Sequence, residues 1–76
     1  MPKQVVVYHT PGCSSCTAAM SFLSQHGVKF TSKDIANDSK ALQEFNDLHT
    51  DATPTIVVDG QVIAGFDQKK LQAVLA

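Results

Sequence analysis

Residues 53–65 read TPTIVVDGQVIAG, two short β-branched runs on either side of Asp59-Gly60. A two-residue Asp-Gly step between apolar runs is a strong hairpin signal, because both turn positions need positive φ and these residue types tolerate it. An antiparallel pair is therefore expected late in the chain. Pro54 stands at its head, where the missing N–H cannot join a central ladder.

Upstream, residues 4–8 contain Val5, Val6 and Val7 in succession. Consecutive β-branched residues without alternation predict a strand buried on both faces. Thr10, Pro11 and Gly12 interrupt it. From Cys13 the period becomes helical: Cys16, Ala19, Met20 and Leu23 fall on one stripe, widened by Phe22. This helix should stop near His26, with Gly27 as its left-handed cap. Residues 28–34 predict a second strand anchored by Val28, Phe30 and Ile35. Asn37, Asp38 and Ser39 offer N-caps for a second helix with Ala41, Leu42, Phe45 and Leu48 inside. Residues 49–53 form a polar loop. Beyond the hairpin, Asp67 can cap a short last helix whose inner face is Leu71, Val74 and Leu75.

The predicted order is strand, helix, strand, helix, hairpin, helix. Strand-helix-strand implies a parallel pair joined by a right-handed crossover. The expected fold is α/β, a four-stranded mixed sheet with helices on both faces, in one domain over residues 1–76.

Composition narrows the function. The 76 residues carry a formal charge of −1, with six scattered lysines and no arginine. Nucleic acid or an anionic membrane would want a basic surface, so neither is expected as a partner. Asp38, Glu44, Asp47 and Asp51 read as a solvated helix face. No apolar run approaches the roughly 20 residues needed to span a bilayer, and no leader fits before the first strand. A cytoplasmic monomer is expected. The two cysteines, Cys13 and Cys16, lie too close together to staple a long loop. In a reducing compartment such a pair is redox-active or metal-binding rather than structural.

Cys13 falls at a helix N-terminus, where unpaired N–H groups and the helix dipole favour a thiolate. Such cysteines have pKa values lowered from about 8.5 to roughly 3.5–7.5. No charged residue flanks the pair, and His9 reads as a surface residue at a strand end. Cys16 sits one turn deeper on the apolar stripe. One outer and one shielded thiol is what exchange chemistry needs: the first attacks and the second resolves. The rival reading is a Cu(I) or zinc carrier, since soft thiolates select both metals. Heavy-metal-associated domains place methionine two residues before the first cysteine, where this chain has Pro11, and they end on a strand. A structural zinc would want four ligands, and His9, His26 and His49 show no paired spacing.

Thr53-Pro54 is the second candidate site. By base rate alone its bond would be trans, since cis is about 5–6% of such bonds. Taken together, YHTPGCSSC (residues 8–16), ATPTIVVDG (52–60) and IAGFD (63–67) resemble the glutaredoxins, within the thioredoxin fold, over essentially the whole chain. The resemblance implies a cis Pro54 beside the cysteines and a Thr53 backbone that binds peptide or glutathione. It implies Cys13 as nucleophile and Cys16 as resolving cysteine, acting on protein or small-molecule disulfides. No bound cofactor is implied; electrons come from thioredoxin reductase or glutathione. The departures are informative. CSSC replaces the common CPYC, the lysine often found before the first cysteine is missing, and Gly65-Phe66-Asp67 replaces a paired glycine and polar residue. The Gly-Phe pair is more similar to NrdH-type redoxins, which use thioredoxin reductase. Gly65, Phe66 and Asp67 are therefore candidate substrate contacts, with core packing for Phe66 and helix capping for Asp67 as the simpler roles. Ser14 and Ser15 have no assigned role beyond tuning the potential.

Overall fold

The computed structural model describes residues 3–75. Its elements are β1 (Val5–His9), α1 (Ser14–Gln25), β2 (Thr31–Asp34), α2 (Ser39–Asp47), β3 (Thr55–Val58), β4 (Gln61–Ala64) and α3 (Gln68–Leu75). The strands lie in the order β2-β1-β3-β4. β1 is parallel to β2 and antiparallel to β3, which pairs antiparallel with β4. This is the mixed sheet of a thioredoxin-like fold, in the predicted order. The hairpin turns where the Asp-Gly signal lies, with φ of 49° at Asp59 and 86° at Gly60; two successive positive φ values suit the right-handed twist of the strands.

Register assigns the faces. Val5 opposes Val58, Val7 opposes Ile56, and Ile56 opposes Ile63; directly opposed residues share a face. These five form one core with Ala19 and Leu23 of α1 and Leu71 of α3, while Phe22, Phe66, Val74 and Leu75 pack at its margin. On the other face Tyr8 meets Phe45 of α2, their ring centroids 6.2 Å apart. The valine run of β1 is thus central and covered on both sides, as its lack of alternation predicts.

Three expectations need correction. The second strand starts at Thr31, not residue 28. The Val28 N–H is spent on the Leu23 carbonyl at 2.9 Å, and that of Gly27 on Ser24 at 3.1 Å. Together with the positive φ of Gly27, these bonds make a Schellman cap that withholds Val28 from the ladder. Val28 and Phe30 still pack against the core as loop residues. Secondly, Leu42 is 41% exposed. Ala41 and Phe45 alone are buried on α2; Leu42, one residue after Ala41, lies about 100° round the helix and falls outside that stripe.

Thirdly, Glu44 is more than a solvated member of the acidic face, whereas Asp38, Asp47 and Asp51 are exposed as expected. Asp38 is the N-cap, accepting from the Lys40 and Ala41 N–H groups at 3.0 and 3.2 Å. Glu44 Oε1 accepts from Lys33 Nζ at 2.5 Å and from Tyr8 Oη at 3.2 Å. The Lys33 hydrogen bond, opposed in part by desolvation, holds the Glu44 carboxyl below the usual range. Burial, with help from the Glu44 charge, pushes the Tyr8 phenol up. The trio ties α2 to β1 and β2.

Candidate active site

Cys13 is the N-cap of α1, and its Sγ accepts from the Cys16 N–H at 3.2 Å. The two sulfurs are joined as a disulfide with the Cα atoms 5.2 Å apart, inside the range that a disulfide spans without backbone movement. Their settings are unequal. Cys16 is 1% exposed and sits against the core side of α1, whereas Cys13 is half-buried at the surface. The break at Thr10, Pro11 and Gly12 produces this placement. Gly12 takes a positive φ of 74°, which reverses the chain from the end of β1 into the helix.

The Thr53–Pro54 bond is cis, as the resemblance implies and against the base rate. The Thr53 carbonyl oxygen lies 3.9 Å from Cys13 Sγ. Pro54 is among the fully buried side chains. Thr55, also fully buried, donates its hydroxyl to the Ala52 carbonyl at 2.5 Å, fixing the turn before the strand. So the two stretches of sequence, forty residues apart, do meet at one surface.

The third group behaves differently. Gly65 donates its N–H to the Pro54 carbonyl at 2.8 Å, one backbone bond behind the cis Thr53–Pro54 segment. The Phe66 ring sits edge-on to Phe22 with centroids 5.7 Å apart. Asp67 caps α3: its Oδ1 accepts from the Lys70 N–H at 3.2 Å and its carbonyl from Leu71 at 2.9 Å. Those contacts of Phe66 and Asp67 lead to helices rather than to sulfur. His9 pairs in register with Asp34. There the Asn37 amide, then the Ala36 N–H, hold the Asp34 carboxyl low, with a smaller contribution from His9.

Sequence reasoning gave Ser15 a share in tuning the potential but no place in the site. Its Oγ lies 3.4 Å from Cys13 Sγ and 3.5 Å from the Thr53 carbonyl. The available signal was a hydroxyl two residues after a capping cysteine, in the first helical turn. A groove of about 240 Å³ lies between Phe22, His26 and Val28 and the Gln72 and Leu75 side of α3. It sits at the far end of α1 from Cys13 and is not lined by either cysteine. Among the described residues, no three His, Cys, Asp or Glu side chains are grouped to cage a metal ion.

Comparison with known proteins agrees with this geometry. Residues 5–63 match the glutaredoxin family model. The solved thioredoxin-like protein BC3987 is 36% identical, with a TM-score of 0.88 over 93% of this chain and 99% of that one. The NrdH-redoxin of Escherichia coli, described as a glutaredoxin-like protein with a thioredoxin-like activity profile, has a TM-score of 0.84 over 92% of each chain. At 14% identity that likeness is one of fold. A stretch of 44 residues, 58% of this chain, is 32% identical to the global transcriptional regulator Spx 1 of Oceanobacillus iheyensis. The match spans only 34% of that protein, so the chain corresponds to about a third of that relative. A glutaredoxin-like fold bearing this cysteine pair supports thiol–disulfide oxidoreductase activity in general. Because the family match runs from the first strand to the hairpin, the chain belongs to the glutaredoxin family.

Proposed function

We propose that this chain is a dithiol reductant of protein or low-molecular-weight disulfides, cycling through Cys13 and Cys16. The observation that carries the reading is the inequality of the two sulfurs at one helix start: Cys13 half-exposed at the cap, Cys16 only 1% exposed behind it. In the reduced protein the Cys13 thiolate attacks one sulfur of the substrate disulfide. The substrate S–S bond breaks, and the departing sulfur takes the electron pair and then a proton from water. Cys16, losing its proton, attacks Cys13 Sγ, and the second substrate sulfur leaves in the same way. The product is the intramolecular disulfide, and two electrons have passed to the substrate.

The Cys16 N–H and the helix terminus favour the Cys13 thiolate. The Thr53 backbone pairs with an extended substrate segment, a short piece of strand addition, and Pro54 shapes that surface. Gly65, Phe66 and Asp67 act on substrate through the Pro54 segment they support. Thioredoxin reductase or glutathione returns the electrons, and the Gly65-Phe66 pair favours the first. NADPH oxidation is followed with thioredoxin reductase and, separately, with glutathione and glutathione reductase, with insulin or a mixed disulfide as acceptor. Turnover in either system is expected. No turnover in both, with tight stoichiometric Cu(I) binding against a competing chelator, would replace the reductase with a metal carrier.

A further inference from the structure

Ser15 Oγ, Cys13 Sγ and the Thr53 carbonyl oxygen form a triangle with sides of 3.4, 3.5 and 3.9 Å. It contains one usable proton. A carbonyl only accepts, and a disulfide sulfur carries no hydrogen, so the serine hydroxyl is the sole donor of the three. At these distances the hydroxyl is locked to neither acceptor: 3.5 Å lies beyond the usual range of about 2.5–3.0 Å for O–H···O. The stronger acceptor takes it.

Which acceptor is stronger depends on redox state. A disulfide sulfur is neutral and a weak acceptor, so the carbonyl holds the proton in the oxidised protein. A Cys13 thiolate is charged, and hydrogen bonds to ionised partners are roughly twice as strong as neutral ones. The geometry points to Ser15 as a positioning residue that turns its hydroxyl from the Thr53 carbonyl to the Cys13 thiolate on reduction. Two consequences follow from that one rotation. The thiolate gains a second donor beside the Cys16 N–H, and the Thr53 carbonyl is released to accept a substrate backbone N–H. Docking capacity therefore appears in the same state that holds the electrons.

The redox balance is simple. A dithiol reductant breaks the Cys13–Cys16 bond through one of its thiolates and then closes its own disulfide, delivering two electrons and losing its two thiol protons to solvent. Cys16 leaves as a thiol with a proton from solvent, and Cys13 leaves as a thiolate. Ser15 keeps its own proton throughout and changes only its acceptor. The inference rests on Cys13 being the attacking thiol, but its test requires no turnover.

The test compares wild type with Ser15→Ala, Ser15→Thr and Ser14→Ala. The Cys13 thiolate is titrated by its ultraviolet absorbance, and the thiol–disulfide equilibrium is measured against dithiothreitol. Ser15→Ala should raise the thiolate pKa by about one unit, a roughly tenfold loss of thiolate at fixed pH below it. It should move the equilibrium by a similar factor toward the disulfide, and that shift should vanish once the pH is low enough to protonate Cys13. Ser15→Thr should restore both values, and Ser14→Ala should leave both at wild type. By NMR, the Thr53 carbonyl carbon should move on reduction in wild type and much less in Ser15→Ala. Unchanged pKa and equilibrium in Ser15→Ala, or equal shifts in Ser14→Ala, overturn the inference. A Ser15-dependent shift in a protein without reductase turnover would sink the proposed function and leave this inference standing.

Discussion

Gly65 donates its backbone N–H to the Pro54 carbonyl at 2.8 Å, one step beyond the Thr55–Ala64 pair that ends the β3–β4 register. The hairpin ladder thus continues past the strands and holds the Thr53–Pro54 segment from behind. With Phe66 packed on Phe22 and Asp67 capping α3, the three residues after β4 fasten Pro54 to both helices of that face. Their place near the cysteine site is explained by support, before any ligand is considered.

Gly65 takes a φ of +79°, and a Cβ built there meets nothing within 4 Å. The cost of Gly65→Ala is therefore backbone strain rather than collision, and should be about 1–2 kcal/mol. Urea unfolding should show a lower midpoint with an unchanged m-value. An unaltered midpoint would mean that the turn relaxes freely and does not hold Pro54.

Cys13 and Cys16 should fail in different ways. Cys13→Ser should abolish disulfide reduction, since no attacking thiolate is left. Cys16→Ser should still attack but cannot resolve, leaving a mixed disulfide visible by mass spectrometry after incubation with a protein substrate. A Cys13→Ser protein that still reduces insulin would refute the mechanism.

The Lys33–Glu44 pair gives stability a defined pH dependence. The Glu44 carboxyl is held low chiefly by the Lys33 hydrogen bond, so its contribution is present above the unfolded glutamate pKa of about 4.3. It is lost as pH falls through the lower folded value. The Lys33 ammonium is held up by the same bond, so its share is present below the unfolded lysine pKa and lost as pH rises through the raised folded one. Glu44→Gln should therefore lower Tm at neutral pH, and the difference from wild type should close toward both extremes. The effect should be modest, because both groups are partly in water. A Tm difference independent of pH would assign the loss to packing instead.

Leu23 is fully buried where α1 meets Val7, Ile56 and Leu71. Leu23→Ala should cost about 2–5 kcal/mol, a large share of the roughly 4–11 kcal/mol that about 0.05–0.15 kcal/mol per residue gives a domain this small. Chemical unfolding followed by circular dichroism measures it. A loss below that range would show the site collapsing around the smaller side chain.

Much of the fold was legible because its signals are local. The 3.6-residue stripe of α1, the Asp59-Gly60 turn, the Gly27 cap and the unalternated valines each bias a few neighbouring residues, and each is realised. The misplaced start of β2 and the exposure of Leu42 share one cause: tertiary context decided them. Val28 could cap α1 or extend a strand, and only the completed helix end shows that capping took its N–H. Leu42 lies at the edge of the apolar stripe, and packing leaves it 41% exposed.

The sequence by itself determined the element order, the helix-start position of Cys13, the shielding of Cys16 and the turn chemistry, since these follow from spacing, capping and periodicity. Tertiary structure decided what lies opposite the sulfur. Pairing β1 with β3 brings the segment before β3 against the loop after β1, so the Thr53 carbonyl and the Ser15 hydroxyl reach Cys13 together. Contacts between residues forty positions apart leave no periodic trace in the chain. They arise only when the sheet closes the distance.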